Sequence, residues 1–540
     1  MATTTAATHV HLPADTNQAL GIAKYAIEFL GDDPATRGEP SDAVVERTNL
    51  FFTDAVLCGL SALALKTNAP TVLRSEALQY PVGEATHRLG RATRRGATVF
   101  GSSVPVHPEK AILANNAAVR EWDSNGTNFG YNPELGNTAG EFGHNDFYGV
   151  CIAGAQLTGA DGAAALRAMV CLDEIRGRLS EVFSLKSYKI DHVVHGAIAS
   201  AAVYGAMLGA TPEQIESAIG MVVAHSIPFR AIRAGKQLSD SKGASAAISS
   251  EAAITAVRRS MSGFLGPRDI FRNPEAIFRL FEGPGQMFQR VGAERANTKD
   301  ADASPFDLHL SRAGGDFAVM GMHFKLGLYE HQSAGAIQAM LDLLAKAPHL
   351  LDDETGSRIR SITIKAYEPA FGIIGDPAKR NPTTRQSADH SMVYIIATLL
   401  RKALSQQKTG WTELMLEPDD YSAKAISNER TRALMDTIRF EHGGEAYDTR
   451  YPDGIPTSVV IEDADGTEFE SGMVMYPAGH ARNTEHDLRG ILDHKFGLLG
   501  RLAFEDPTPI IARFEDLSSK SADEIGSLHD FEIQTRDGYE

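Results

Sequence analysis

Cysteine is scarce in this 540-residue sequence: Cys58, Cys151 and Cys171 are an odd set with no C-x-x-C spacing. That excludes a disulfide framework and a clustered zinc site. It also argues against an iron–sulfur centre, which needs about three or four suitably placed thiolates. Basic charge is short as well. Against 69 Asp and Glu stand 52 Lys and Arg, a formal net charge of −17, whereas a phosphate-reading surface needs a cationic excess on at least one face. No nucleic-acid partner is expected. An anionic small molecule remains compatible, because a site needs only a few local cations. Long apolar runs are missing too: the longest uncharged stretch, Val193 to Ala210, is rich in Ala and Gly, falls at the short limit for a bilayer span and reads better as a buried helix. No membrane association is expected. Met1 to Asp15 has neither the charged start and apolar run of a secretory signal nor an Arg for a transit peptide, so a cytoplasmic location is expected.

What is present is an ordinary globular composition, 43% hydrophobic and 22% charged, without a Pro, Ser or charge-rich linker. The length is too great for one core and implies at least two units. Ser41 to Ala64, Glu109 to Glu121, Gly162 to Leu179 and Pro212 to Ala224 carry apolar residues at helical spacing. Thr211-Pro-Glu-Gln214 has the make-up of a capped helix start, with Ile215, Ile219 and Val222 on one face. Gly196 to Leu208 and Gly243 to Val257 are crowded with Ala, Ser and Gly, small enough for close helix packing. After about Met322 the pattern changes. Arg358 to Ala366 alternates, and Val459 to Tyr476 reads as two strands about Asp465-Gly466, with a helix near Ala388 to Leu404 between. The expected fold is mainly α with an α+β lid: residues 1–324 helical, 325–477 the inserted lid, and 478–540 a return to the helical part.

Removal of a proton and a hydroxyl from a polyanion requires cations, a proton acceptor and a proton donor. Five segments place such groups among apolar or Gly-rich surroundings. They are Arg120 to Thr127 with Gly140 to His144, Lys189-Ile-Asp-His192, Arg233 to Lys242, His323-Phe-Lys325 with His331-Gln-Ser333, and Asp389-His390 to Tyr394 with Tyr476 to Arg482. A lone His or Lys is more often structural than catalytic, so composition selects none of them.

In order and approximate spacing, Lys-Ile-Asp-His at 189–192, Ser-Lys at 241–242, Phe324-Lys325 before His331-Gln-Ser, Asp389-His390-Ser-Met-Val-Tyr and Tyr476-Pro-Ala-Gly-His-Ala-Arg resemble successive landmarks of the MmgE/PrpD family. The resemblance runs from about Val44 to Leu502. It implies a large helical domain, a smaller α+β lid, a pocket between them, a homodimer, and neither metal nor organic cofactor. It places the family's Asp-x-x-x-Thr element on Asp123 and Thr127, its Gly-His on His144, its domain-entry His on His192 and its site lysines on Lys242 and Lys325. Two departures stand out: Asp-Ser-Asn-Gly-Thr replaces the family's usual acidic run, and Asn128 to Ala139 lengthens the following loop. Phe371 is the nearest match to a Tyr of the family's decarboxylases, which tilts the expectation away from decarboxylation.

The resemblance therefore implies a hydro-lyase for a small hydroxy tricarboxylate, with 2-methylcitrate the expected substrate. A cis-aconitate-type decarboxylase or a polyacid epimerase on the same scaffold is the alternative, and a non-catalytic metabolite-binding scaffold the second. Asp123, His144, His192 and Lys242 are the expected catalytic residues. Thr127, Arg233, Lys325 and His331 are expected to bind substrate, although His331, like His390 and His480, equally fits a hydrogen-bonded lid residue. The two lysines would stabilise charge developing on a carboxylate. One histidine would take the carbon-bound proton and the other protonate the departing hydroxyl, with Asp123 the base instead if burial raises its pKa, or otherwise a partner that orients His144.

Overall fold

The computed structural model of the protein describes residues 8–233, 238–280 and 303–539. Ala234 to Gln237, in the stretch leading to Lys242, lie outside the described residues. Eight long helices build the first part: α1 (Gln18–Leu30), α2 (Asp42–Ala64), α3 (Pro108–Arg120), α4 (Tyr148–Thr158), α5 (Gly162–Val182), α6 (Val193–Leu208), α7 (Pro212–His225) and α8 (Ser245–Met261). Helix α6 lies at the centre, packed against α1, α4, α5, α7 and α8, and every residue in it except Met207 is buried. Its small residues are what permit this. A Cβ at Gly196 would stand 2.0 Å from the Phe147 ring, and one at Gly205 would stand 2.7 Å from Ile215, so neither helix neighbour has room for a methyl group. Helix α7 begins as its sequence implies: Thr211 Oγ1 accepts from the Gln214 amide at 3.2 Å and Gln214 Oε1 accepts from the Thr211 amide at 2.9 Å, which satisfies two otherwise orphaned donors.

Beyond residue 325, helix α9 (Ala334–Lys346) packs on a four-stranded sheet. Its strands are β1 (Ile359–Ala366), β2 (Ile438–His442), β3 (Thr457–Asp463) and β4 (Glu468–Glu470), in the order β2-β1-β3-β4. β2 runs parallel to β1, and the other pairs are antiparallel. The alternation in β1 buries Ile362, Ile364 and Ala366, and Ile362 and Ile364 stand opposite Ile461 and Val459 of β3. The β3–β4 hairpin turns at Asp465-Gly466, with Gly466 at φ +84°. Its second strand is shorter than the alternation to Tyr476 suggests: it ends at Glu470, and only Val474 bridges back to Thr457. Helix α10 (Met392–Gln406) starts where the Ser391 hydroxyl caps the Tyr394 amide. Helix α11 (Leu488–Ala503) then packs against α2, bringing the chain back to the helical part.

No single helix among the described residues is long and apolar enough to cross a membrane. Helix α2 and the helix Asn68–Ala77 pass that test only together, across a 93° bend.

Candidate active site

Helix α3 ends at Arg120, and three residues later Asp123 adopts φ +50°, a left-handed conformation that Asp tolerates better than most residues. The turn brings its buried carboxylate against the Arg120 guanidinium. Lys242 Nζ lies 3.0 Å from Asp123 Oδ2, and His390 Nε2 lies 2.7 Å from the same oxygen. Lys325 Nζ donates to Asp123 Oδ1 and, at 2.9 Å, to its main-chain oxygen. Burial alone would raise the Asp123 pKa, but Arg120, Lys242, Lys325 and His390 hold it well below the usual carboxylate range. Burial therefore does not make Asp123 a base. Nor does Asp123 orient His144: Arg120 stands between them, its Nη2 3.3 Å from His144 Nε2. Asp123 is a fixed anion that gathers cations.

Around this anion opens a cleft with Arg120, Asp123, Thr127, His144, His192, Arg230, Arg233, Lys242, Glu330, Gln332, Lys379 and His390 on its polar wall. Thr127 and His144 are brought together by a two-residue antiparallel ladder, Thr127–Asn128 with Gly143–His144. The inserted residues bulge out between its strands, held by an Asn132–Asn137 bridge. The Thr127 hydroxyl already donates to Gly143 O at 2.8 Å.

His192 precedes the first turn of α6, with Nδ1 3.6 Å from Asp191. Burial opposes ionisation of Asp191, but its ion pair with Arg233 keeps its pKa below the usual range. His192 Nε2 has no hydrogen-bond partner among the described residues. The His144 and His192 rings lie 5.2 Å apart. Burial pushes both pKa values well below that of a free imidazole; Arg120 adds to the effect at His144, while Asp191 opposes it only in part at His192. A guanidinium can only donate, so His144 Nε2 accepts from Arg120 and its proton resides on Nδ1. Burial also lowers Lys242, to about 8, despite the nearby Asp123.

The remaining expected residues divide. Arg233 lines the cleft with its charge committed to Asp191. Lys325 is fully buried behind Asp123 rather than on the wall, so it contacts the site's anion instead of a substrate. His331 is also set back, its ring stacked 5.2 Å from that of His323 and packed near Phe129. His390, read from sequence as a lid residue, reaches the centre, with its two ring nitrogens facing Asp123 and Asp389. Sequence reasoning missed Arg230 and Lys379; no ion pair joins either to another described residue, and both line the cleft. Lys379 closes the short turn Pro377–Lys379, which is too brief to carry a periodic signal. Phe371 does not line the cleft. It stacks on His442 at 5.6 Å, while Ile373 and Ile374 of the same turn form part of the wall, so the lack of a hydroxyl at 371 does not bear on the chemistry there.

Residues 33–289 match the family model of the MmgE/PrpD N-terminal domain, and residues 330–506 match that of the MmgE/PrpD C-terminal domain. The chain is 26% identical over 457 residues to a 2-methylcitrate dehydratase of Escherichia coli K12, covering 80% of this chain and 84% of that one. It is 26% identical over 515 residues to a mitochondrial 2-methylcitrate dehydratase of Yarrowia lipolytica, covering 91% and 87%. A fungal alkylcitrate dehydratase is 25% identical over 352 residues, covering 63% and 62%.

Proposed function

The chain belongs to the MmgE/PrpD family, and on that premise we propose that it is a hydro-lyase that dehydrates a small hydroxy tricarboxylate of the 2-methylcitrate type without a metal. The observation that carries this reading is the pairing, in one cleft, of several cations with a buried neutral histidine whose Nε2 has no partner among the described residues. Arg230 and Lys379, which form no ion pair with another described residue, bind substrate carboxylates. His192 Nε2 takes the proton from the carbon beside a carboxylate, with Nδ1 3.6 Å from the Asp191 carboxylate. The electron pair released forms the carbon–carbon double bond, and the neighbouring hydroxyl leaves as water with a proton from the Lys242 ammonium. His144, with its proton on Nδ1, donates a hydrogen bond to the developing enediolate. The cleft takes its residues from both the 1–324 and the 325–477 parts of the chain, which supports that division, with 478–540 returning to the first. The family resemblance supports a homodimer, and a stable, fully active monomer in light scattering would refute that state.

The test is to treat the purified protein with chelator, incubate it with 2-methylcitrate, citrate and cis-aconitate, and follow unsaturated product by ultraviolet absorbance. Product is expected from 2-methylcitrate at an undiminished rate after chelation. Turnover of none of the three would overturn the reading, and activity that returns only on adding metal would overturn its metal independence.

A further inference from the structure

Phe129 lines a second cavity besides the catalytic cleft, of about 180 Å³. Its wall joins Phe129, Tyr131 and His323 of the first part to Asp453, His480 and Arg482 from beyond residue 325. The His323 and His480 rings stack at 4.0 Å, and one turn of chain fixes the tautomer of both. His323 Nδ1 accepts from the Ala481 amide at 2.9 Å, and His480 Nδ1 accepts from the Arg482 amide at 3.2 Å. Burial keeps both rings neutral, pushing His480 down to about 3 and His323 well below the ordinary value. The single proton of each therefore sits on Nε2. His323 is 5% exposed and His480 3%, and neither Nε2 proton is accepted by another described residue. A buried N–H without an acceptor is costly, and two of them stand together at the wall of this cavity.

The charge around the cavity has the matching sign. Glu181 and Asp453 are the carboxylates on its wall, and each has its own guanidinium, Arg178 at 3.2 Å from Glu181 and Arg482 beside Asp453. Arg47, close to both histidines, has no such partner. Its guanidinium donates to Val319 O at 3.3 Å and Met322 O at 2.5 Å, lies over the Phe51 and Phe324 rings, and forms no ion pair with another described residue. Burial lowers it to about 10, so it stays charged at neutral pH, and its field helps to depress both histidines. An uncompensated buried cation beside two unanswered N–H donors calls for an anion with oxygen acceptors. A metal ion on Nε2 would need the ring proton on Nδ1, where the Ala481 and Arg482 amides already donate. We propose that this cavity binds a small oxyanion, the carboxylate or phosphate group of a metabolite, which accepts from Nε2 of His323 and of His480. The anion bridges the first part of the chain and the segment that closes the lid, and it abuts Phe129, which the catalytic cleft shares. Arg482, 5.5 Å from the Tyr131 ring centroid, brings the inserted loop to the same place. None of this depends on the dehydratase reading.

The test is thermal melting of the purified chain in orthophosphate or succinate against chloride of equal ionic strength, which matches the screening of surface charge. At ten times the half-saturating concentration, binding to the folded state alone raises the folded-to-unfolded ratio about elevenfold, read as a higher melting temperature. The more effective anion tells whether phosphate or carboxylate is the better ligand. The catalytic cleft also attracts anions, so two variants decide the place. His480→Phe keeps the ring stack without the donor and should abolish the rise, whereas Lys379→Ala, which removes a cation of the cleft, should retain it. No rise with either anion, a rise that His480→Phe keeps, or one that Lys379→Ala loses would overturn the proposal. If His480→Phe does not fold, wild-type crystals soaked in selenate give the position directly. Selenium in the cavity beside the two Nε2 atoms supports the site, and selenium confined to the catalytic cleft, or bound nowhere, overturns it.

Discussion

Lys242 concentrates the residue-scale chemistry, because burial brings its ammonium down to about 8 even with Asp123 at 3.0 Å. A lysine poised there is charged at neutral pH and gives up its proton more readily than an exposed one. For Lys242→Ala, kcat/KM should fall roughly a hundredfold or more, on the order of 3 kcal/mol of transition-state stabilisation. The pH profile of the parent gives the sign. As an acid, Lys242 is active when protonated, so kcat/KM declines as pH rises through about 8; the base His192 is neutral down to well below 6.5, so no decline is expected at 6.5. Lys242→Arg, charged throughout, should lose the alkaline decline in whatever activity remains; an unchanged decline in that variant would remove Lys242 from the proton path. Asp240 and Glu251 are the carboxylates nearest this lysine in sequence. In the structure Asp240 instead accepts from Asn68 and Gln386, and Glu251 pairs with Lys110. Asp123 keeps Arg120, Lys325 and His390 when Lys242 is removed, so the melting transition should shift far less than stranding a lone buried charge would require.

At the scale of elements, α11 positions the site without lining it. Its Lys495 is fully buried and pairs with Asp54 of α2 at 2.6 Å, while donating to Ser124 O at 2.8 Å and Lys325 O at 2.7 Å. One ammonium thus ties α2 and α11 to the residues next to Asp123 and to the strand of chain carrying Lys325. Lys495→Met should leave Asp54 buried and unpaired, at a cost of about 3–5 kcal/mol in a urea unfolding curve. Asp54→Asn with Lys495→Met should recover part of that loss; a double variant no more stable than the single one would show that the pair is not the source. Such a tie could not be read from sequence. Helices α2, α3, α5 and α7 were legible because their apolar stripes are local, recurring every three or four residues, and Thr211 and Gln214 announce a start within four positions. Asp123 meets Lys242 and Lys325 across 119 and 202 residues, a separation over which periodicity says nothing. The family landmarks supplied those residues, but not that Lys325 faces Asp123 rather than substrate. β2 was missed because its five residues, Ile-Arg-Phe-Glu-His, alternate too briefly to separate from the short helix before it.

Across the whole molecule, the segment carrying His390 is docked on the end of α3 by Arg385. Its guanidinium pairs with Glu121, donates to Glu121 O at 2.8 Å and lies 5.1 Å from the Trp122 ring centroid. Arg385 and Glu121 are both buried, and Leu238 N donates to Ser387 Oγ at 3.0 Å nearby. Arg385 opens the single turn Arg385–Ala388 that delivers Asp389 and His390 to the cleft, so the ion pair fixes the distance between His390 and Asp123. If this contact couples the two parts, Arg385→Met should lower both kcat/KM and melting temperature. Breaking one side of a buried pair costs about 3–5 kcal/mol because the other charge is left behind. Replacing both, as Arg385→Met with Glu121→Gln, removes the stranded charge and should return much of the stability. Activity should recover less, since the neutral pair packs but no longer fixes His390 through a charged, directional bond. The cycle separates the two roles: stability and activity restored together would make Arg385 a packing residue, whereas restored stability with kcat/KM still reduced tenfold or more would mark it as the residue that sets the geometry of the cleft.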